Sequence, residues 1–163
     1  MNAGLSTDYL VTGNAYRDGA PYGGWFVARF IDAEHGLRSR MGRLTALADA
    51  QGDFELKLFA HRAGHREEKA FPYNRTATTM SMLMGVGRFE IDFCFEGHWQ
   101  SVVLKEEGDY ALWAPGVGHR WYARQDSTIF TVRSPAVDAT DQAPTPLEKV
   151  PSELLARWDT SQL

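Results

Sequence analysis

From Phe54 to Arg133 the chain repeats one pattern: short runs of alternating apolar and polar residues, each closed by a cluster of turn formers. In the first run Phe54, Leu56, Leu58 and Ala60 take one face, and Glu55, Lys57, Phe59 and His61 take the other. Thr76 to Met84 and Arg88 to Phe95 read as a hairpin around Gly85, Val86 and Gly87. In its second strand Phe89, Ile91, Phe93 and Phe95 share a face. Further runs follow at Trp99 to Leu104, Tyr110 to Trp113, Arg120 to Arg124 and Thr128 to Arg133. Alternation with a period of two is that of a half-buried strand, and strands need neighbours. So many short ones in succession predict a sandwich or a closed barrel.

Outside this pattern the chain is less regular. Residues 1–24 are rich in Gly, Asn, Asp and Pro and read as an arm with turns rather than a packed element. Trp25 to Ile31 has the aromatic and β-branched content of a strand, Asp32 to Gly42 is a polar loop, and Arg43 to Ala50 is a short helix or an irregular crossing. Residues 135–151 read as a tail, and Ser152 to Trp158 as a short Ser-capped helix docking on the barrel or on a second subunit. The expected division is an arm over 1–24, a barrel over 25–134 and a tail with a helix over 135–163, all in one domain.

Composition narrows the function classes. A net charge of −4 without a Lys/Arg run argues against nucleic-acid binding. No apolar run reaches membrane-spanning length, and the N-terminus lacks the features of a signal peptide. Cys94 is the only cysteine and cannot close an internal disulfide, which suits a reducing, cytoplasmic compartment.

The stretch from Gly108 to His119 reads GDYALWAPGVGH. It predicts a strand over Tyr110 to Trp113, a reversal at Pro115 and Gly116, and a second strand opened by His119. Pro115 fixes φ and removes a donor, and Gly116 and Gly118 tolerate positive φ. This stretch resembles the second motif of the cupin superfamily, in which a glycine is followed by a Pro-x-Gly turn, a histidine and an asparagine. Gly108, Gly116 and His119 fall in register, while Ala114 stands at the first proline position and Ala123 at the asparagine. The resemblance implies an all-β, double-stranded β-helix (jelly-roll) barrel carrying the arm and the C-terminal helix, assembled as a homodimer.

For metal-binding cupins the resemblance also implies a first motif of His-x-His, then Glu, then Gly. Together with the histidine of the second motif, it surrounds a cation with three imidazoles and a carboxylate. Laid on this chain, the first histidine position falls on Phe59, the second on His61 and the glutamate on Thr78. His61 and His119 remain, and a third ligand would have to come from Glu67, Glu68 or His65 in the charged loop over 62–74. Such a set suits Fe, Zn, Mn or Ni. The alternative leaves both histidines as pocket imidazoles, so the cofactor expectation is either none or one divalent transition metal.

Aromatic residues surround these histidines on neighbouring strands. By alternation Trp121 shares a face with His119, and Phe59 with His61; Trp113 and Trp99 lie nearby. Thr76, Thr78 and Met80 share a face, the hydroxyls of Thr76 and Thr78 would add polar handles, and Arg75 is a candidate partner for a ligand carboxylate. His35 and His98 sit in loops, where a solvated side chain is expected. If the histidine faces point inward, the cavity suits a small organic molecule. If they do not, the aromatics only fill a core. The functional expectation is a small-molecule-binding cupin with an incomplete or absent metal site. The alternative is an isomerase, cyclase, lyase or dioxygenase using His61 and His119 as metal ligands or as catalytic acid and base. A third reading is a structural dimer with a filled barrel.

Overall fold

The computed structural model describes residues 4–20, 28–31, 38–41, 55–136 and 139–160. In chain order the elements are β1 (Leu10–Asn14), α1 (Ala15–Gly19), β2 (Ala28–Ile31), β3 (Arg38–Met41), β4 (Glu55–His61), β5 (Pro72–Asn74), β6 (Thr78–Met84), β7 (Phe89–Phe95), β8 (His98–Leu104), β9 (Asp109–Trp113), β10 (Gly118–Ala123), β11 (Ser127–Ser134), β12 (Gln142–Pro144) and α2 (Ser152–Thr160). The expected crossing over 43–50, His35 and the first residues of the strand predicted over 25–31 lie outside the described residues.

Two antiparallel sheets enclose the core. One has five strands in the order β1-β9-β6-β11-β4, and the other has three in the order β10-β7-β8. One cluster of buried side chains joins them: Leu10, Leu83, Ala111, Trp113 and Ile129 from the first sheet meet Phe89, Ile91, Phe93, Val102 and Leu104 from the second. Those are the inner faces. The outer face of the five-stranded sheet carries a separate cluster of Met80, Tyr110, Leu112 and Val132. The pairs β2–β3 and β5–β12 form small sheets of their own.

Cross-strand partners project to the same face of a sheet, so the register fixes which residues line the interior. One inner row runs Glu55, Arg133, Thr79, Trp113, Leu10, and the next runs Lys57, Thr131, Ser81, Ala111, Thr12. Beyond them lie Phe59 with Ile129 and Leu83, then His61 with Ser127. From the opposite sheet His119 pairs with Phe93, and Trp121 with Ile91.

Several expectations change. β6 and β7 do not form a hairpin: both edges of β6 are taken, by β11 and β9, and β7 lies in the other sheet. The turn between them carries the chain across the barrel, held where Arg88 N–H donates to Ser127 Oγ and Arg124 N–H donates to the Arg88 carbonyl. Part of the expected arm is packed structure, since Leu10 to Asn14 add an edge strand beside β9. Asn14 then caps α1, its side chain accepting from the Tyr16 and Arg17 amides. Within the polar loop expected over 32–42, Arg38 to Met41 form β3. The expected tail also packs: β12 pairs with β5, and Val150 and Leu154 bury against Phe71 and Cys94. The predicted helix is present and docks on the three-stranded sheet of its own chain. Arg157 reaches Asp92 and Ser101, and the Arg120 guanidinium stacks 3.5 Å from the Trp158 ring centroid.

Candidate functional site

His119 is the second residue of β10, and the reversal that precedes it demands glycine. Gly116 has φ +85°, and a Cβ on Gly118 would stand 2.6 Å from Thr145 Oγ1 and 2.9 Å from Cys94 Sγ. The turn lays the His119 ring 5.0 Å, centroid to centroid, from the Trp113 indole. His119 is 5% exposed, and its Nδ1 lies 3.3 Å from the Val117 carbonyl oxygen. With Nδ1 as the donor there, Nε2 is the acceptor end of the ring. Burial lowers the imidazole pKa to about 4, the Val117 contact opposes that shift, and the charge of Arg133 adds to it. The ring is therefore neutral at pH 7.

The row facing His119 is polar. Arg133 Nη1 lies 3.7 Å from Glu55 Oε1, and Lys57 Nζ lies 2.7 Å from the same oxygen, an ion contact without hydrogen-bond angles. Ser81 and Thr131 bond across the strands at 2.8 Å, and Asn74 Nδ2 donates to Thr79 Oγ1 at 3.0 Å. Three buried polar atoms here lack any partner among the described residues: Trp113 Nε1, Asn74 Oδ1 and Arg133 Nε. Groups of this kind are costly to bury unmet. Side-chain exposure runs from 51% at Lys57 through 24% at Glu55 to 17% at Arg133, while Thr79 and Trp113 are buried. The row therefore opens at β4 and closes at β9.

His61 belongs to a second group. The loop after β4 lies along the free edge of β10, with the Ala123 amide donating to the His65 carbonyl and the Glu67 amide to the Trp121 carbonyl. That pairing sets His61 Nδ1 and His65 Nδ1 2.9 Å apart. The His61 ring also packs on Trp121 (4.5 Å), Phe59 (4.4 Å) and Phe89 (5.0 Å). Its pKa falls to about 4, first through burial and then through the charge of His65. His61 and His119 both face the interior, each against its own tryptophan, and Trp121 lies two residues past His119 on β10.

Other candidates lie elsewhere. Met80 packs in the outer-face cluster with Leu112 and Val132, and Thr78, in register with Ser134, shares that outer face. The strand period that groups them with each other is the one that turns them from His119. Arg75 is exposed and donates to the Thr140 carbonyl, and Thr76 is bonded to Asp141. Glu67 Oε1 accepts from the Lys69 amide, and Glu68 is exposed. Among the described residues no three His, Cys, Asp or Glu side chains come close enough to share a metal ion. Sequence reasoning missed Glu55, Lys57, Thr79, Ser81 and Arg133 as site residues. The alternation that grouped Glu55 and Lys57 with His61 held that signal for two of them, but the cross-strand register that adds Arg133 and Thr79 has no local trace.

No protein-family model matches the chain, and no curated protein matches it in sequence. Solved structures do. A sugar 3,4-ketoisomerase from Thermoanaerobacterium thermosaccharolyticum in complex with TDP superposes with a TM-score of 0.56 at 10% identity, covering 86% of this chain and 91% of that one. A 3'-monoepimerase from Streptomyces bikiniensis in complex with dTDP-quinovose gives 0.58 at 12% identity, covering 89% and 73%. The rmlC epimerase of Mycobacterium tuberculosis gives 0.55 at 14%, covering 88% and 72%. What this chain shares with those enzymes is architecture: its two sheets form the same jelly-roll fold.

Proposed function

We propose that the chain binds a small organic molecule between its two sheets, on the inner row where Trp113, Thr79 and Arg133 face His119. The observation that carries this reading is the set of unmet buried polar atoms on and around that row. A bound polar molecule would satisfy them. An aromatic wall with a few convergent polar groups is the usual lining of a small-molecule site.

The reading is metal-free, and the donor set supports it. Of the cupin ligand positions, only His61 and His119 carry a ligating side chain, and His61 Nδ1 is turned to His65. Three-ligand sites of the cupin kind need more donors than these.

A catalytic version has one specific observation in its favour. His119 is a neutral imidazole whose Nδ1 contact to Val117 leaves Nε2 as a proton acceptor, next to the cationic Arg133. The free Nε2 is placed to take and return a proton at a carbon beside a carbonyl, and Arg133, by stabilising the oxyanion that forms, offsets the low basicity of the buried ring. The ketoisomerase and epimerase names of the structural neighbours fall in that reaction class. Titration calorimetry with TDP and with simple sugars and sugar acids tests the binding reading. Heat that appears with one of them in the wild type and vanishes in His119→Gln supports it, and silence with all of them overturns it. For catalysis, solvent deuterium entering a bound keto sugar is expected with wild type and not with His119→Gln.

A further inference from the structure

We infer that the occupant of this row is a monoanionic, hydroxyl-rich carboxylic acid of sugar size; the inference rests on the binding reading above and names its ligand class. Charge comes first. Among the described residues this row and the next hold two cations, Lys57 and Arg133, and one carboxylate, Glu55, which both approach. Glu55 lies closer to the half-exposed Lys57 (2.7 Å) than to Arg133 (3.7 Å), so the less satisfied cation is Arg133, only 17% exposed in its side chain. Charge withdrawn from water needs a partner. One negative charge on the ligand balances it, whereas a diphosphate or a phosphate dianion brings more than the row can neutralise.

Geometry gives the kind of anion. Arg133 Nε is buried and has no acceptor among the described residues, while Nη1 faces Glu55. A planar carboxylate can lie against the open edge of a guanidinium through paired N–H donors. The rest of the row asks for hydroxyls. Trp113 Nε1 is a buried donor lacking an acceptor, and Asn74 Oδ1 is a buried acceptor lacking a donor. An alcohol group accepts one bond and donates another, so hydroxyls meet both needs. Ser81, Thr131 and Thr79 line the same two rows with hydroxyls of their own. The exposure gradient sets the direction: the carboxylate end sits at the open side near Lys57 and Arg133, and the hydroxylated end reaches inward to Trp113 and His119.

The test compares six-carbon sugar derivatives, with TDP beside them, on the wild-type chain, so that no variant has to fold for it to be decisive. Gluconate, galactonate and mannonate are titrated beside glucitol, glucose 6-phosphate and TDP. At least one hexonate is expected to bind about 10- to 100-fold more tightly than glucitol, the span a charge-assisted hydrogen bond covers. Arg133→Gln should remove most of that advantage, and Arg133→Lys should restore part of it. Tighter binding of glucose 6-phosphate or TDP than of every hexonate overturns the assignment while leaving the site in place. Failure of all six probes overturns the site and the assignment together.

Discussion

At the residue scale, the two inward-facing imidazoles give the molecule a pH signature. Both have folded pKa values near 4, well below the ordinary histidine value of about 6.5. Below about pH 6.5 the unfolded chain takes up protons that the folded chain refuses, so stability is full above that pH. It then falls as the pH drops toward 4 and levels off below. At about 1.4 kcal/mol per pH unit, each imidazole accounts for roughly 3 kcal/mol of the loss. Urea unfolding from about pH 7.5 to about pH 4.5 should trace this fall, and His119→Gln should flatten it by about half. Gly118 supports a second prediction. Its Cβ position is bounded by Thr145 Oγ1, Cys94 Sγ and, at 3.3 Å, the Phe71 carbonyl oxygen. Gly118→Ala should therefore cost about 2 kcal/mol of unfolding free energy through overpacking. Both residues were visible in the chain, because glycine and proline chemistry around a lone histidine is local. The partners of His119 were not, since Arg133 and Thr79 come from strands paired at long range.

At the element scale, α2 is a clasp on the three-stranded sheet. Leu154 is fully buried, Trp158 is 4% exposed beneath the Arg120 guanidinium, and Arg157 reaches Asp92. Trp158→Ala should cost about 3 kcal/mol or more, the usual scale for emptying a large aromatic from a packed site. Cys94 offers an independent readout. It is buried in the same cluster as Leu154, and burial, then the nearby Asp92, push its thiol pKa up to about 12. The wild-type thiol should therefore resist a thiol reagent such as DTNB, and Trp158→Ala should raise its rate by loosening the cover. The helix itself was readable from Ser152 and its leucines; its docking site was not. The strands were readable too, through their period. The β6–β7 hairpin was misread because turn residues report a reversal of the chain and not which sheet it re-enters.

At the scale of the whole molecule, what matters is that two sheets close on one interior with an open side and a shut side. The open side carries Glu55 and Lys57, the shut side Trp113 and His119. A ligand bound across that gradient should bridge the sheets, so it should raise the unfolding midpoint and slow amide exchange in β9, β10 and β11 together. Exchange mapped by mass spectrometry with and without a binding hexonate checks this, and protection confined to a surface loop would contradict it. By itself the sequence determined that this chain is all-β, that it turns sharply before His119, and that a helix follows the last long strand. Those properties live in residue spacing and backbone chemistry within a few positions. Only the tertiary structure decided which face of each strand is inside and which cations meet His119. It also parted the two histidines onto different tryptophans. Side-chain partners across a sheet follow from register, and register is set by pairings between segments far apart in the chain, where no local pattern reaches.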